Sequence, residues 1–333
     1  MQMTQRADLL AQADGLLELG DGHYDAERWP EALRCFQVCS DIYAQIGERA
    51  KEAQSHSNLG FTHRSLQQPS LAAEAFRRAV DLFRKVGDHA EEGNAQGNLG
   101  LALSDQGLYE LAIEHFEEAE RIHRSLSDLG VVAYSLSNSA LAHFNLRKVD
   151  DTKAAVAHLL MAHKLWGSAL TMYGYLHDTK NECMVLEHDA AYFEEIREYS
   201  NAESELSQAL EICKQTGDRV GEARILHRLG NVMSRWAVSS DFPGARIGVA
   251  VRYYLESLDI FEDCHDAEDT AAVAFDLARA YFQRREGKSA SDLARALECC
   301  AKALHIYEAS GNLQAAHDVR AFKAWLARLV DSP

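Results

Sequence analysis

Gly20, Gly60 and Gly100 stand 40 residues apart, and the same interval separates Ala32, Ala72 and Ala112, and Phe36, Phe76 and Phe116. Three residue classes sharing one period constrain this chain more than its composition does. A fixed repeat of tens of residues marks units that cannot bury their apolar faces alone and must stack against neighbours. At 333 residues, 47% of them apolar, length by itself suggests about two domains. A stack grows by addition, however, so the expectation is one elongated array over residues 1–330.

The unit is clearest in its third copy, where Asn98, Leu99 and Gly100 are followed by Leu103, then by Tyr109, Ala112, Phe116 and Ala119. Small and apolar residues recur at steps of three and four in two runs, broken near Gln106 and Gly107, which describes two amphipathic helices joined by a tight turn. Pro30 and Pro69 fall just ahead of Ala32 and Ala72, where a fixed φ and a missing N–H suit the first turn of a helix. Small residues at Gly20, Gly60, Gly100, Ala140, Ala190, Gly230 and Ala278 let the two helices of a hairpin approach closely. Gly87-Asp88, Gly217-Asp218 and Gly311-Asn312 read as left-handed helix ends, each followed by a polar link.

These Leu-Gly, Ala, Phe and Ala positions resemble the tetratricopeptide repeat, and the 40-residue period with its Gly-Asp ends resembles the kinesin light chain and Pins/LGN type; similar repeats occur in bacterial regulators that sense peptides. The resemblance implies an all-α, right-handed superhelical solenoid of about seven hairpins, over residues 13–48, 49–88, 89–128, 129–178, 179–218, 219–266 and 267–312, with a capping helix at 313–330. Three departures stand out. Between Ala140 and Ala190 the spacing is 50, and the stretch from Asp151 to Tyr175 reads as lacking the Ala-x3-Phe pattern, so the fourth unit is expected to have lengthened or shifted helices. The sixth unit gains about eight residues around Ser239–Gly248, and the seventh about six near Arg284–Ser291; in arrays such insertions go to loops.

Lys plus Arg total 34 against 51 Asp plus Glu, a net charge of -17, which argues against a counterion-releasing nucleic-acid footprint. No run of about 18 uncharged apolar residues is present, and Met1–Gly20 has no apolar segment of signal-peptide length, so no membrane partner and a cytoplasmic location are expected. Seven cysteines, an odd number spread through helical patterns, fit reduced thiols.

In the resembling family the first helices line the inner side of the curve. Two positions before the small residue, they present Asn58, Asn98 and Asn138 in successive units. Asparagine is a middling helix former, so its recurrence asks for another reason; its amide both donates and accepts, which suits it to an extended peptide backbone, and the resemblance implies that use. The alternative is that each amide bonds the adjacent helix and fixes the stacking. Gln54, Ser57, Arg64, Asn94, Asp105, Tyr134 and Phe144 share the stripe. In the sixth unit Arg224, His227, Arg228, Asn231 and Arg235 form a basic patch, fit to hold an acidic group or terminal carboxylate of a protein or peptide partner, or to be neutralised internally by Glu187, Glu194 and Glu195.

No phosphate loop, nucleophile elbow or His-Glu-x-x-His motif is present. Cys35 and Cys39 have helical spacing, but Cys39 occupies the slot of Ala79 and Ala119. No metal, cofactor or catalytic residue is therefore assigned. The expected function is a non-enzymatic scaffold gripping a peptide or partner in its groove. Alternatives are a peptide- or ligand-sensing regulator, and an enzyme or cofactor pocket near residues 158–188, where His158, His163, Cys183 and His188 cluster.

Overall fold

The computed structural model describes residues 3–148, 152–240, 242–284 and 290–330. Those residues form fifteen helices and no strand: α1 (Met3–Asp25), α2 (Trp29–Ile46), α3 (Arg49–Ser65), α4 (Pro69–Val86), α5 (His89–Ser104), α6 (Tyr109–Ser125), α7 (Leu129–Leu146), α8 (Thr152–Leu176), α9 (Thr179–Glu195), α10 (Tyr199–Thr216), α11 (Arg219–Val238), α12 (Pro243–Asp263), α13 (Ala267–Gln283), α14 (Ala290–Ser310) and α15 (Leu313–Val330). Consecutive helices pair as seven hairpins followed by α15. The chain divides into two compact units, residues 1–178 and 179–333. No helix of the described residues is long and apolar enough to cross a membrane.

The periodic glycines follow from packing. A Cβ added to Gly20, Gly60, Gly100 or Gly230 would fall 2.5, 2.6, 2.6 or 2.5 Å from the ring of Phe36, Phe76, Phe116 or Tyr254. Carbon atoms in contact sit about 3.5–4.0 Å apart, so in these four hairpins the phenyl or phenol ring on the second helix leaves room only for glycine on the first, whereas the fourth hairpin sets Ala140 in register with Trp166. Where the register places Leu206 or Cys300 opposite, the slot holds Ala190 or Ala278, and all four are buried. The cores also bridge hairpins: Ala72 and Phe76 share a cluster with Leu99, Leu103, Phe116, Ala142 and Leu146. No hairpin in that cluster completes its own interior, which is why the array must stack.

Helix ends are handled by two devices. Gly47, Gly87, Gly217 and Gly311 take φ of 77°, 79°, 73° and 75° at hairpin junctions, the left-handed region that costs other residues about 1–2 kcal/mol. The side chains of Asp88, Asp128, Asp218 and Asp266 then cap the next first helix by accepting from the backbone N–H three residues on. Pro69 and Pro243 open α4 and α12, and Pro30 stands in the first turn of α2.

Two sequence expectations need correction. The fourth hairpin does keep the pattern: Ala162, Trp166 and Ala169 are buried at the spacing of Ala32, Phe36 and Cys39, and Tyr173 repeats Tyr43. Ten extra residues precede Ala162, and α8 is lengthened to 25 residues. The sixth hairpin's insertion goes into helix rather than loop, since α11 and α12 run to 20 and 21 residues, leaving only 239–242 between them. Asp241 of that turn, and most of the seventh insertion (285–289), lie outside the described residues.

Candidate functional site

The first-helix stripe of each unit is partly tied together from one first helix to the next. In residues 1–178, Asn58 Nδ2 donates to Asp21 Oδ1 at 3.0 Å, Tyr24 and Ser65 hydroxyls lie 3.1 Å apart, and Arg64 Nε donates to Asp105 Oδ2 at 2.7 Å. The last two pairs join the position four after the small residue to the position five after it in the next hairpin. In residues 179–333 Arg235 and Glu194 make the same step, at 2.6 Å. Asp21 is held above the usual carboxylate range by burial, then by Asp25 and Glu18, so the Asn58 amide is committed to an acid-rich junction.

The three asparagines therefore do three different things. Asn58 spans two hairpins, Asn138 Nδ2 turns back to the Tyr134 carbonyl of its own helix at 2.9 Å, and Asn98 has no intramolecular hydrogen bond among the described residues. Asn98 lies in a trough of about 350 Å³ between α3, α5 and α7, lined also by Ser57, Phe61, Asn94, Gly97, Gly130 and Tyr134. Four residues chosen from sequence, Ser57, Asn94, Asn98 and Tyr134, are thus brought together, while Asn58, Arg64, Asp105 and Asn138 are not. Tyr134 is 39% exposed, and Asn94 makes only a long 3.4 Å contact to Glu91. Gln54 is exposed, and Phe144 is covered by the Arg147 guanidinium at 3.6 Å and by Trp166.

Sequence reasoning missed the bare floor of this trough. Gly97 and Gly130 are not part of the periodic slot, and a Cβ on Gly97 would meet only Ala119 Cβ, at 3.9 Å. Two glycines outside the period, on the inner stripe and beside aromatics, were the available signal.

In the second unit the basic patch is neutralised internally. Arg224 reaches Glu187 at 3.1 Å, Arg228 reaches Glu187 at 3.1 Å and Glu194 at 3.6 Å, and His227 Nε2 donates to Asp276 Oδ2 at 2.8 Å. Arg224 and Arg228 border a cavity of about 680 Å³ beside α9, together with Glu187, Cys183 and Cys213. Asn231 and Arg235 border another of about 320 Å³ with Ser234, Tyr254, Asp276, Arg279 and Gln283. There Asn231 Oδ1 accepts from the Tyr254 hydroxyl at 2.8 Å, and burial pushes that phenol up.

Of the residues near 158–188, His158 meets His143, Trp166 and Tyr173 are buried in the first unit, and Cys183 is buried in the second. Among the described residues no three His, Cys, Asp or Glu side chains converge as a metal site would require.

A tetratricopeptide repeat family model matches residues 11–85 and 58–125. No curated protein matches the sequence. The apo form of RapI aligns with 96% of this chain and 98% of its own, at 14% identity and a TM-score of 0.56. A Rap protein complexed with competence and sporulation factor aligns with 96% of this chain and 76% of its own, at 11% identity and a TM-score of 0.53. A putative kinesin light chain from Podosopora anserina with nearly identical TPR-like repeats covers 63% of this chain and 98% of its own, at 16% identity and a TM-score of 0.52. At these identities the likeness is one of fold. The tetratricopeptide repeat match thus spans residues 11–125, and over the rest of the chain the likeness is to the helical-repeat fold of these structures.

Proposed function

We propose that this protein is a non-catalytic, cytoplasmic interaction module that grips an extended peptide segment of a partner protein along its first helices, with the α3–α5–α7 trough as the principal grip. The observation that carries this reading is the Asn98 amide, uncommitted within the described fold and set between the aromatic rings of Phe61 and Tyr134 over a glycine floor. An amide in that position can accept from one backbone N–H and donate to one carbonyl, so it holds a strand whatever its side chains. Phe61 and Tyr134 supply apolar area, and the bare floor lets a backbone approach closely.

An acidic group on the partner is assigned to Arg235, beside Asn231, Arg279 and Gln283, because its side chain is 64% exposed against 26% for Arg228 and can exchange its single carboxylate, Glu194, for the partner's. The likeness to a Rap solenoid that binds competence and sporulation factor supports a second reading, a regulator whose helical array tightens on its ligand.

The test is selection of linear peptides from a random library on the wild-type chain, followed by fluorescence anisotropy. Replacing Asn98 by Ala should weaken selected peptides about 5- to 10-fold, the equivalent of one to two backbone hydrogen bonds. Failure to enrich any peptide, or unchanged affinity in the Asn98→Ala, Tyr134→Ser double variant, would overturn the proposal.

A further inference from the structure

Seven positions before each small residue, the first helix has a slot that the register sets against the last turns of the second helix. Five hairpins fill it with alanine and an aromatic ring: Ala13 with Tyr43, Ala53 with Phe83, Ala133 with Tyr173, Ala223 with Phe261, and Ala271 with Tyr307, all buried. The third hairpin uses Gly93 with His123, whose ring leaves no space for a Cβ. The α9–α10 hairpin alone places two sulfurs there.

Cys183 and Cys213 are 7% and 3% exposed, and their Sγ atoms lie 3.6 Å apart, in van der Waals contact. Two cysteines occupy less volume than alanine and an aromatic ring, and both border the 680 Å³ cavity whose other lining includes Lys180, Met184, Asp218 and Arg224. Packing alone is better served by the pair used elsewhere, so what this hairpin gains is thiol chemistry at the base of an open cavity.

We propose that Cys183 and Cys213 form a reversible disulfide site, oxidised by a low-molecular-weight disulfide that enters through this cavity. The thiolate of Cys183 attacks one sulfur of that disulfide, an S–S bond breaks, and the first small thiol leaves and takes up a proton. Cys213 then loses its proton and attacks Cys183 Sγ of the mixed disulfide, releasing the second small thiol. Two protein thiols are oxidised and one small-molecule disulfide is reduced to two thiols. Burial pushes the Cys183 thiol up to about 12 and raises Cys213 as well, so the exchange is slow and waits on opening of the cavity.

The other cysteines offer no equivalent. Cys35 and Cys39 are one turn apart on a single helix, with the Cys39 sulfur 3.3 Å from the Ser55 hydroxyl; Cys299 and Cys300 are adjacent in the chain; and Cys264 is exposed. Closing the bond brings the two sulfurs from 3.6 Å to about 2.05 Å, on the wall of the cavity that Arg224 also lines.

The experiment equilibrates the full chain with mixtures of oxidised and reduced glutathione under anaerobic conditions, blocks free thiols in denaturant, and maps the tryptic peptides. Cleavage after Lys180, Arg197 and Lys214 should give peptide 181–197 joined to peptide 198–214. The blockable thiols of Cys183 and Cys213 should be lost together, apart from any mixed disulfide on exposed Cys264, and return on reduction. The Cys183→Ala variant, which restores the alanine common at this slot, should fold and form no such link. Absence of the joined peptide at every mixing ratio, its appearance only in denaturant, or earlier joining of Cys35 with Cys39 would overturn the proposal.

Discussion

Replacing Gly100 by alanine separates two effects that sequence alone would confuse. In an ordinary helix interior the change stabilises by up to about 1 kcal/mol, since alanine has less backbone freedom to lose. Here the new methyl would lie 2.6 Å from Cε1, 2.8 Å from Cδ1 and 3.0 Å from Cζ of Phe116. The ring is 1% exposed and has nowhere to swing, so it or the α5 and α6 axes must retreat by about 1 Å to reach normal contact. Overpacking of that size costs about 1–3 kcal/mol, giving an expected net loss of about 1–2 kcal/mol. The decisive assay is a double-mutant cycle with Phe116→Leu, read by urea unfolding under circular dichroism. Ala190 against Leu206, both fully buried, is the same combination already present in the fifth hairpin. The double variant should therefore be more stable than the sum of the single changes by about 1–3 kcal/mol. Additivity within about 0.5 kcal/mol, or stabilisation by Gly100→Ala alone, would refute the argument that ring size dictates the periodic glycine.

Four further outcomes are expected. His143 Nδ1 lies 2.9 Å from His158 Nδ1, and burial, then the neighbouring imidazole, push His143 down to about 4. The unfolded chain thus binds more protons than the folded one between about pH 6.5 and 4, and stability should fall as pH drops through that window by on the order of 1–2 kcal/mol after allowance for partial exposure; His143→Gln should flatten the slope in urea titrations. Gly87→Ala, at φ 79°, should lower stability by about 1–2 kcal/mol, whereas Gly97→Ala should leave it unchanged or raise it by up to about 1 kcal/mol while weakening peptide binding, because the methyl fills the trough floor. Arg228→Gln breaks links to both Glu187 and Glu194 and should cost roughly 1 kcal/mol, while Arg235→Gln, 64% exposed, should cost under about 0.5 kcal/mol. Asp218→Ala removes the cap on Gly221 N–H at 2.8 Å and should cost about 1 kcal/mol in the same measurement.

Much of the architecture was legible because packing repeats. Gly20, Gly60 and Gly100 face Phe36, Phe76 and Phe116 at one period, and Gly230 faces Tyr254; a steric constraint repeated in four hairpins leaves a trace in any reading of the chain. The fourth hairpin is harder to read because the insertion ahead of Ala162 moves an intact pattern out of phase and Trp166 stands in the phenylalanine position. The trough was half legible. Register told which residues share the inner stripe, so Ser57, Asn94, Asn98 and Tyr134 were found. It could not tell which stripe residues reach the neighbouring hairpin: Asn58 to Asp21 and Arg228 to Glu187 are partners about 40 positions apart, chosen by side-chain length and direction rather than by spacing. The facing of Cys183 and Cys213 was hidden for the same reason, since thirty residues separate two sulfurs that touch.

Hydrogen–deuterium exchange on the full chain, with and without a peptide selected on it, tests the central claim most directly. The account predicts slowed exchange concentrated in α3, α5 and α7, strongest around Asn98 and Tyr134 and abolished by Asn98→Ala with Tyr134→Ser. Protection confined to α4 and α6, with those first helices unchanged, would contradict it.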